Sequence, residues 1–441
     1  MSPVAPHPQF TFVREVGGIE ELRHRENDLT VLLLQQAAAP VVTFMVTYSV
    51  GSRNEHAGLT GATHLLEHLM FKGTKRFNKA AGQTIFNVLQ RVGAQVNATT
   101  WYDRTNYFAL LPKEHLSLAV EIEADRMRGA LVSDEDLASE RTVVLNELDR
   151  GENEPLRKLL HAVWSVAFVA HPYGHPTIGW RSDVETVEAD DLRHFYDTYY
   201  WPSNATISVI GDFDRAEALG LVHQHFGHIQ AQASLGGDGA QPLVSPQAVT
   251  REPPQIGERR LVIRQAGQLG AVLCAYKACS GLDADADTLD VLATALTSGK
   301  SSRLYRRLTD EGLTTSTFAY FPRLRDPGLF MVYGALAPDV EHGVVEETLR
   351  SILAEIAAEG LTASELERAR RQTVAQDAYG RDGPYAIASQ LNEAIAVGDW
   401  TLYATYRERI ASVTAADVQR VAASMFADDR LTVGHYVPEP A

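Results

Sequence analysis

Residues 64–68 read His-Leu-Leu-Glu-His, and Glu147 follows in a second segment of helical composition. They supply two imidazoles, a carboxylate ligand and a spare carboxylate. His64 and His68 are four residues apart, so on a helix their side chains leave the same face one turn apart and can meet one metal ion. Glu67, three residues after His64, borders that face, placed to work on a metal-bound water rather than on the metal. Two His and one Glu are a common protein ligand set for hydrolytic zinc, the fourth position going to water. Zinc brings the pKa of such a water down to about 7, so hydroxide is available at neutral pH.

Two elements must position these groups. Residues 41–50 alternate, with Val42, Phe44, Val46, Tyr48 and Val50 on one side, which predicts a strand leading into the motif. Gly58-Leu59-Thr60-Gly61 can turn the chain, with Thr60 as the expected N-cap and Gly73 as the expected helix stop. Leu65, Leu66, Leu69 and Met70 surround the polar residues, and burying two His and a Glu there without partners would be costly. Glu140 to Glu147 predicts a second helix, with Val143, Val144 and Leu148 as its apolar side. Glu140 and Glu147 are nearly two turns apart and share a face. One can ligate while the other orients a His ring. The competing account of the two Glu is a solvent-facing acidic stripe. The order H-x-x-E-H, the reverse of H-E-x-x-H, is itself a zinc-peptidase signature.

With these residues in view, the chain resembles a family. Gly61-Ala-Thr-His-Leu-Leu-Glu-His-Leu-Met-Phe-Lys-Gly-Thr74, the upstream Val50-Gly-Ser-Arg-Asn-Glu55, and Glu140-Arg141 with Glu147 are similar to the pitrilysin (M16) zinc peptidases. The likeness is greatest to the smaller bacterial and mitochondrial-processing-peptidase-like members, and it extends over nearly the whole chain. It implies one zinc per chain on His64, His68 and Glu147, with Glu67 as general base and Glu140 as a supporting carboxylate. It also implies that the strand carrying Asn97-Ala98 pairs with the backbone of an extended peptide, by strand addition. From the residues alone, Gly93 to Thr100 and Tyr107 to Leu111 read as a hairpin turning near Asp103-Arg104-Thr105-Asn106.

Composition sets the outer bounds. Hydrophobic content of 45% and charged content of 22% over 441 residues suit a globular protein with more than one core. The net charge of −16 argues against nucleic acid or an anionic membrane as partner. No apolar run approaches the 18 residues of a membrane span. Cys274 and Cys279 fall on a strand expected near Ala271 to Ala278, an odd number apart and so on opposite faces, which disfavours a disulfide. The N-terminal Met-Ser-Pro-Val-Ala-Pro-His-Pro lacks the basic start and apolar run of a secretory leader. On the chain as given the expected compartment is cytoplasmic, or periplasmic if a leader was removed.

Ala231 to Gly257, rich in Gly, Ala, Pro, Gln and Ser, reads as a linker between residues 1–230 and 258–441. The halves show a faint repeat at an offset of 226. Gly73 matches Gly299, Leu65-Leu66 matches Val291-Leu292, and Thr206-Ile207 matches Thr432-Val433. The expected fold class is α+β: two duplicated domains, each a mostly antiparallel sheet with helices packed on one face. At this offset His64, Glu67 and His68 become Asp290, Ala293 and Thr294, so the second domain cannot bind zinc in the same way.

The resemblance also implies an Arg and, seven residues later, a Tyr in the second half that hold the substrate backbone and stabilise the oxyanion. Aligning Gly312-Leu313 puts them at Leu308 and Thr315, and a one-residue slip recovers Arg307 but leaves Thr314. Tyr305 and Tyr320 have the wrong spacing. Losing oxyanion donors typically costs about 10²–10³ in rate. The expected assembly is therefore a heterodimer in which a homologous subunit supplies both groups, with a homodimer as the other arrangement. His171-Pro-Tyr-Gly-His175-Pro also spaces two His by four, but its prolines rule out a helix. The expected function is zinc-dependent endopeptidase action on extended or unfolded peptides. Its rivals are a noncatalytic scaffold subunit and a zinc-binding, peptide-holding chaperone.

Overall fold

The computed structural model describes residues 7–231 and 248–439. The chain gathers into two compact units that interleave in sequence. The first comprises Met1–Leu148, Pro176–Val249 and Gly380–Ala404; the second comprises Asp149–His175, Thr250–Tyr379 and Thr405–Ala441. Most of the expected linker, 232–247, lies outside the described residues.

The chain opens with strands β1 (Phe10–Val16), β2 (Ile19–His24), β3 (Thr30–Gln35) and β4 (Val41–Tyr48). Helices α1 (Ala62–Leu69) and α2 (Ile85–Arg91) precede the hairpin β5 (Gln95–Thr100) and β6 (Thr105–Pro112). Next come α3 (Leu116–Gly129), α4 (Asp134–Glu152), α5 (Pro155–Ala167), α6 (Arg181–Thr186) and α7 (Ala189–Tyr199), then β7 (Ala205–Gly211) and α8 (Arg215–Phe226). Past the linker run β8 (Arg259–Ala266), β9 (Ala271–Lys277), α9 (Ala286–Thr297), β10 (Thr314–Tyr320) and β11 (Leu329–Leu336). The chain closes with α10 (His342–Glu359), α11 (Ala363–Tyr379), α12 (Pro384–Val397), α13 (Thr401–Ser412), α14 (Ala415–Met425) and β12 (Leu431–Glu439).

In the first unit seven strands form one sheet in the order β1-β2-β3-β7-β4-β6-β5, antiparallel except for the β3–β7 pair. Helices of the N-terminal half cover one face, where Val42, Phe44, Val46 and Tyr48 pack with Leu65, Leu66 and Leu69 of α1. The period-2 pattern of β4 predicts this face. The other face is buried too: Leu32, Met45, Phe108 and Ile210 pack against Ile387, Leu391 and Ile395 of α12. The sheet therefore has helices on both faces, the second layer coming from a helix almost 350 residues further along the chain from β4, and not on one face as expected.

In the second unit five strands run β10-β11-β9-β12-β8, with β8–β12 as the parallel pair. Here α5 packs on β8, β9 and β12. Gly434 permits the close approach, since a Cβ there would stand 2.5 Å from the Val163 side chain. Strand by strand, this order matches β5-β6-β4-β7-β3 of the first sheet, the duplication the sequence suggests. Thr206 pairs with Thr47, and Thr432 pairs with Ala275, so Thr47 and Ala275 correspond at an offset of 228 (275 − 47) rather than 226. The offset is thus not gapless, because loops between matched elements differ in length. Cys279 lies past the end of β9, so the two cysteines do not share a strand; both are free thiols.

Candidate metal centre

Helix α1 is fixed at its N-terminus before any ligand is placed. Gly61 is the N-cap, at φ 84°. That left-handed conformation suits Gly, and a Cβ there would meet the Ile178 carbonyl at 2.5 Å. Thr60 is therefore not the cap. Its backbone N–H and hydroxyl instead donate to Asp183, at 3.1 and 2.7 Å. The cap is the Glu55 carboxylate, whose two oxygens accept the N–H groups of Gly61 and Thr63, each at 2.8 Å. These are amides that a helix leaves without internal partners. Burial pushes the Glu55 carboxyl up to about 8, against those two N–H groups.

One turn on, His64 and His68 stand with ring centroids 4.8 Å apart and planes at 74°. The second helix, α4, brings Glu147 to His64, with Oε2 at 3.7 Å from Nε2. One donor atom from each of His64, His68 and Glu147 lies within 4.8 Å of the others. Among the described residues this is the one group of three or more His, Cys, Asp or Glu so arranged. The donor set and its geometry fit zinc with three protein ligands and a remaining position. Glu140, on the same face of α4, accepts a 2.8 Å hydrogen bond from His68 Nδ1. This leaves Nε2 of His68 for a metal. Burial works to raise the Glu140 carboxyl, but Lys72 and His68 outweigh it and hold it below the usual carboxylate range. Val143, expected on the apolar side of α4, is exposed; the buried side is Leu137, Val144 and Leu148.

Glu67 is held from another element. The Thr100 hydroxyl at the end of β5 donates to Glu67 Oε2 at 2.5 Å. Burial raises the Glu67 carboxyl, against the Thr100 hydroxyl and the charges of His68 and Arg104. Sequence reasoning did not single out Glu55 or Thr100.

β5 is the edge strand of its sheet. The Trp101 N–H bonds across the hairpin to the Arg104 carbonyl. By the alternation of an antiparallel ladder, Asn97 and Thr99 then face β6, while the N–H and C=O groups of Ala98 and Thr100 face outward. Asn97 Oδ1 accepts the Ala98 N–H at 2.9 Å. Asn97-Ala98 thus sits on the open edge that ends beside Glu67.

The matching place in the second unit holds no ligand set. Asp290 accepts from Arg323, at 3.0 and 2.7 Å, and from the Tyr406 hydroxyl at 2.8 Å. Thr294 accepts a 2.9 Å bond from Thr373, which stands 226 residues after Glu147. The contact between helices survives, with hydroxyls and a guanidinium where the first copy gathers metal donors. Leu308 is fully buried, and Thr315 is exposed on β10. Neither position carries the Arg or Tyr that the resemblance implies, and Arg307 is paired with Glu355 at 2.9 Å. The His171-to-His175 segment makes a 3-10 turn, with His171 Nε2 3.0 Å from Asp326.

Residues 30–180 match the family model described as insulinase (peptidase family M16), and residues 186–373 match one described as peptidase M16 inactive domain. An uncharacterized zinc protease of Streptomyces coelicolor is 32% identical over 383 residues, 86% of this chain and 81% of that protein. A probable mitochondrial-processing peptidase subunit beta of Arabidopsis thaliana is 26% identical over 98% of this chain and 82% of its own length. The crystal structure of a protease from Helicobacter pylori superimposes with a TM-score of 0.88 at 26% identity, covering 96% of this chain and all of that one. A chain with this motif, this duplicated fold and this degree of identity across most of a named zinc protease belongs to peptidase family M16.

Proposed function

We propose that the chain is a zinc-dependent endopeptidase acting on extended or unfolded peptides, and that it is the metal-bearing subunit of a heterodimer. The observation that carries the reading is the convergence of His64, His68 and Glu147 within 4.8 Å, with Glu67 held beside them at the end of an open sheet edge. His64, His68 and Glu147 would hold the ion, and Glu140 would fix the His68 ring. Zinc, when bound, supplies an acidified water and a Lewis acid for the scissile carbonyl. The Thr100 hydroxyl holds Oε2 of Glu67 and so orients the carboxylate that would accept the proton of the attacking water. Glu67 then returns that proton to the leaving amine, as general base and then general acid. The outward C=O of Ala98 and the N–H and C=O of Thr100 would pair with the peptide main chain, which recognises shape and extension more than sequence. The names of the relatives, zinc proteases and a processing-peptidase subunit, support the same chemistry. Leu308 and Thr315 support the partnership, since a homologous subunit would have to provide Arg and Tyr.

The test is cleavage of a panel of unstructured peptides by the zinc-loaded chain, alone and with a candidate M16 partner, beside Glu67→Gln. Cleavage should fall by about 10²–10⁴ in the variant while zinc stays near one per chain. Cleavage by the single chain at the rate of the mixture would remove the heterodimer. Peptide binding without cleavage in every pairing would instead favour a peptide-holding subunit.

A further inference from the structure

The hairpin that carries the candidate peptide edge is tied down by a residue outside both the metal set and the Asn97-Ala98 pair. Arg104 lies in the β5–β6 turn with 9% of its surface exposed. Its Nη1 donates to the Thr99 carbonyl at 3.1 Å, to the Thr99 hydroxyl at 2.5 Å and to Asn106 Oδ1 at 2.9 Å. Its Nε and Nη2 both reach Oε1 of Glu393 on α12, at 3.1 and 2.5 Å. The neighbouring Asn392 is buried and accepts the Thr47 hydroxyl of β4 at 2.7 Å. A planar guanidinium with several donors can serve two elements at once, which a lysine ammonium cannot do in the same geometry.

We propose that Arg104 is a positioning residue for the peptidase site: Glu393 orients its guanidinium, the guanidinium holds Thr99, and the next residue, Thr100, holds Glu67. The inference rests on the peptidase reading for its consequence but not for its structural core. Arg104 touches neither a metal ligand nor Glu67 by hydrogen bond. It fixes the strand whose outward groups would receive the peptide and whose last hydroxyl sets the base. Loosening that strand should weaken peptide binding more than it slows the bound complex, and should leave the metal in place.

The test uses the full chain with Arg104→Met, Arg104→Lys and Glu393→Gln. Hydrogen exchange across residues 95–101 should speed up by about tenfold in Arg104→Met, the size expected for losing charge-assisted hydrogen bonds. Amides of β7 and α10 should keep their rates, and zinc should stay at the wild-type level per chain. KM for an unstructured peptide should rise by about tenfold, with kcat falling less, and the lysine variant should lie between. Glu393→Gln should move both readouts the same way, by less. Unchanged exchange over 95–101 in Arg104→Met would overturn the proposal. So would an equal speeding of exchange throughout the unit, which marks general destabilisation. If the wild-type chain cleaves no peptide in any pairing, the peptidase reading fails, and the exchange result still decides whether Arg104 holds the strand.

Discussion

His68 has one ring nitrogen bonded to Glu140 at 2.8 Å, and that bond sets which nitrogen faces the metal position. Lys72 holds the other oxygen of the same carboxylate, so the acceptor is charged and fixed from two sides. Replacing Glu140 by Gln keeps the shape but removes the charge and the pairing with Lys72. Outer partners of this kind are typically worth about 10–100-fold in metal affinity. Glu140→Gln should therefore weaken zinc binding by that factor, measured by competition with a chromogenic chelator, and affinity within twofold of wild type would refute the role. At this scale much was legible in the sequence. Spacing puts His64, Glu67 and His68 on one helix face and Glu140 and Glu147 on another, because helical geometry converts intervals of three, four and seven into a shared face; which Glu would ligate followed only from the family resemblance. Glu55 and Thr100 did not follow. Glu55 reaches Gly61 and Thr63 through a turn whose shape depends on Gly61 at φ 84°, and Thr100 reaches Glu67 from a different strand. Neither interval repeats with any period.

Helices here depend on charged side chains near their ends as well as on packing. At the start of α11 the Glu365 carboxylate accepts from Arg303, at 2.8 and 2.9 Å, and from the Thr362 N–H at 2.9 Å. The Arg303 hydrogen bonds, joined by those from Thr362, hold its carboxyl down at about 2, below its ordinary 4.5. The folded value lies below the unfolded one, so the folded state binds the proton less readily. The stability this contributes is present above pH about 4.5 and is lost as pH falls through about 2. Glu365→Gln should thus be less stable than wild type near neutrality, and the gap should close between pH 4.5 and 2. Urea unfolding across that range measures it, and a gap that stays constant with pH would contradict the assignment. Among the elements, the β4 strand could be read from its alternation, and the hairpin and the two helices carrying the candidate ligands from their composition and turn signals. The second buried face of β4 could not, because Thr43, Met45 and Thr47 owe their burial to residues such as Leu391 that no local pattern links to them.

The interleaving of the chain gives that distant layer a consequence for the whole molecule. Sequence composition suggests a cut between residues 231 and 257, and the duplicated strand orders agree that the two halves are copies. Yet the first sheet takes α12 from the second half of the sequence onto its free face. Removing α12 together with the residues that follow it to Ala404, among them Trp400 and Tyr403, would expose Ile19, Leu32, Met45, Phe108 and Ile210, all buried now. Fully burying one such side chain is worth about 1.5–3 kcal/mol. Five together come to on the order of 10 kcal/mol, as large as the whole stability of a typical domain, about 5–15 kcal/mol. A chain ending at residue 240 should therefore keep its metal motif but not a cooperative fold. It should bind a hydrophobic dye and aggregate on heating, while the peptide 380–404 added in trans should restore a sharp transition. If the shortened chain instead unfolds cooperatively at the melting temperature of the full protein, α12 contributes little to the first sheet. Burial of those five side chains would then have to be supplied from within the N-terminal half.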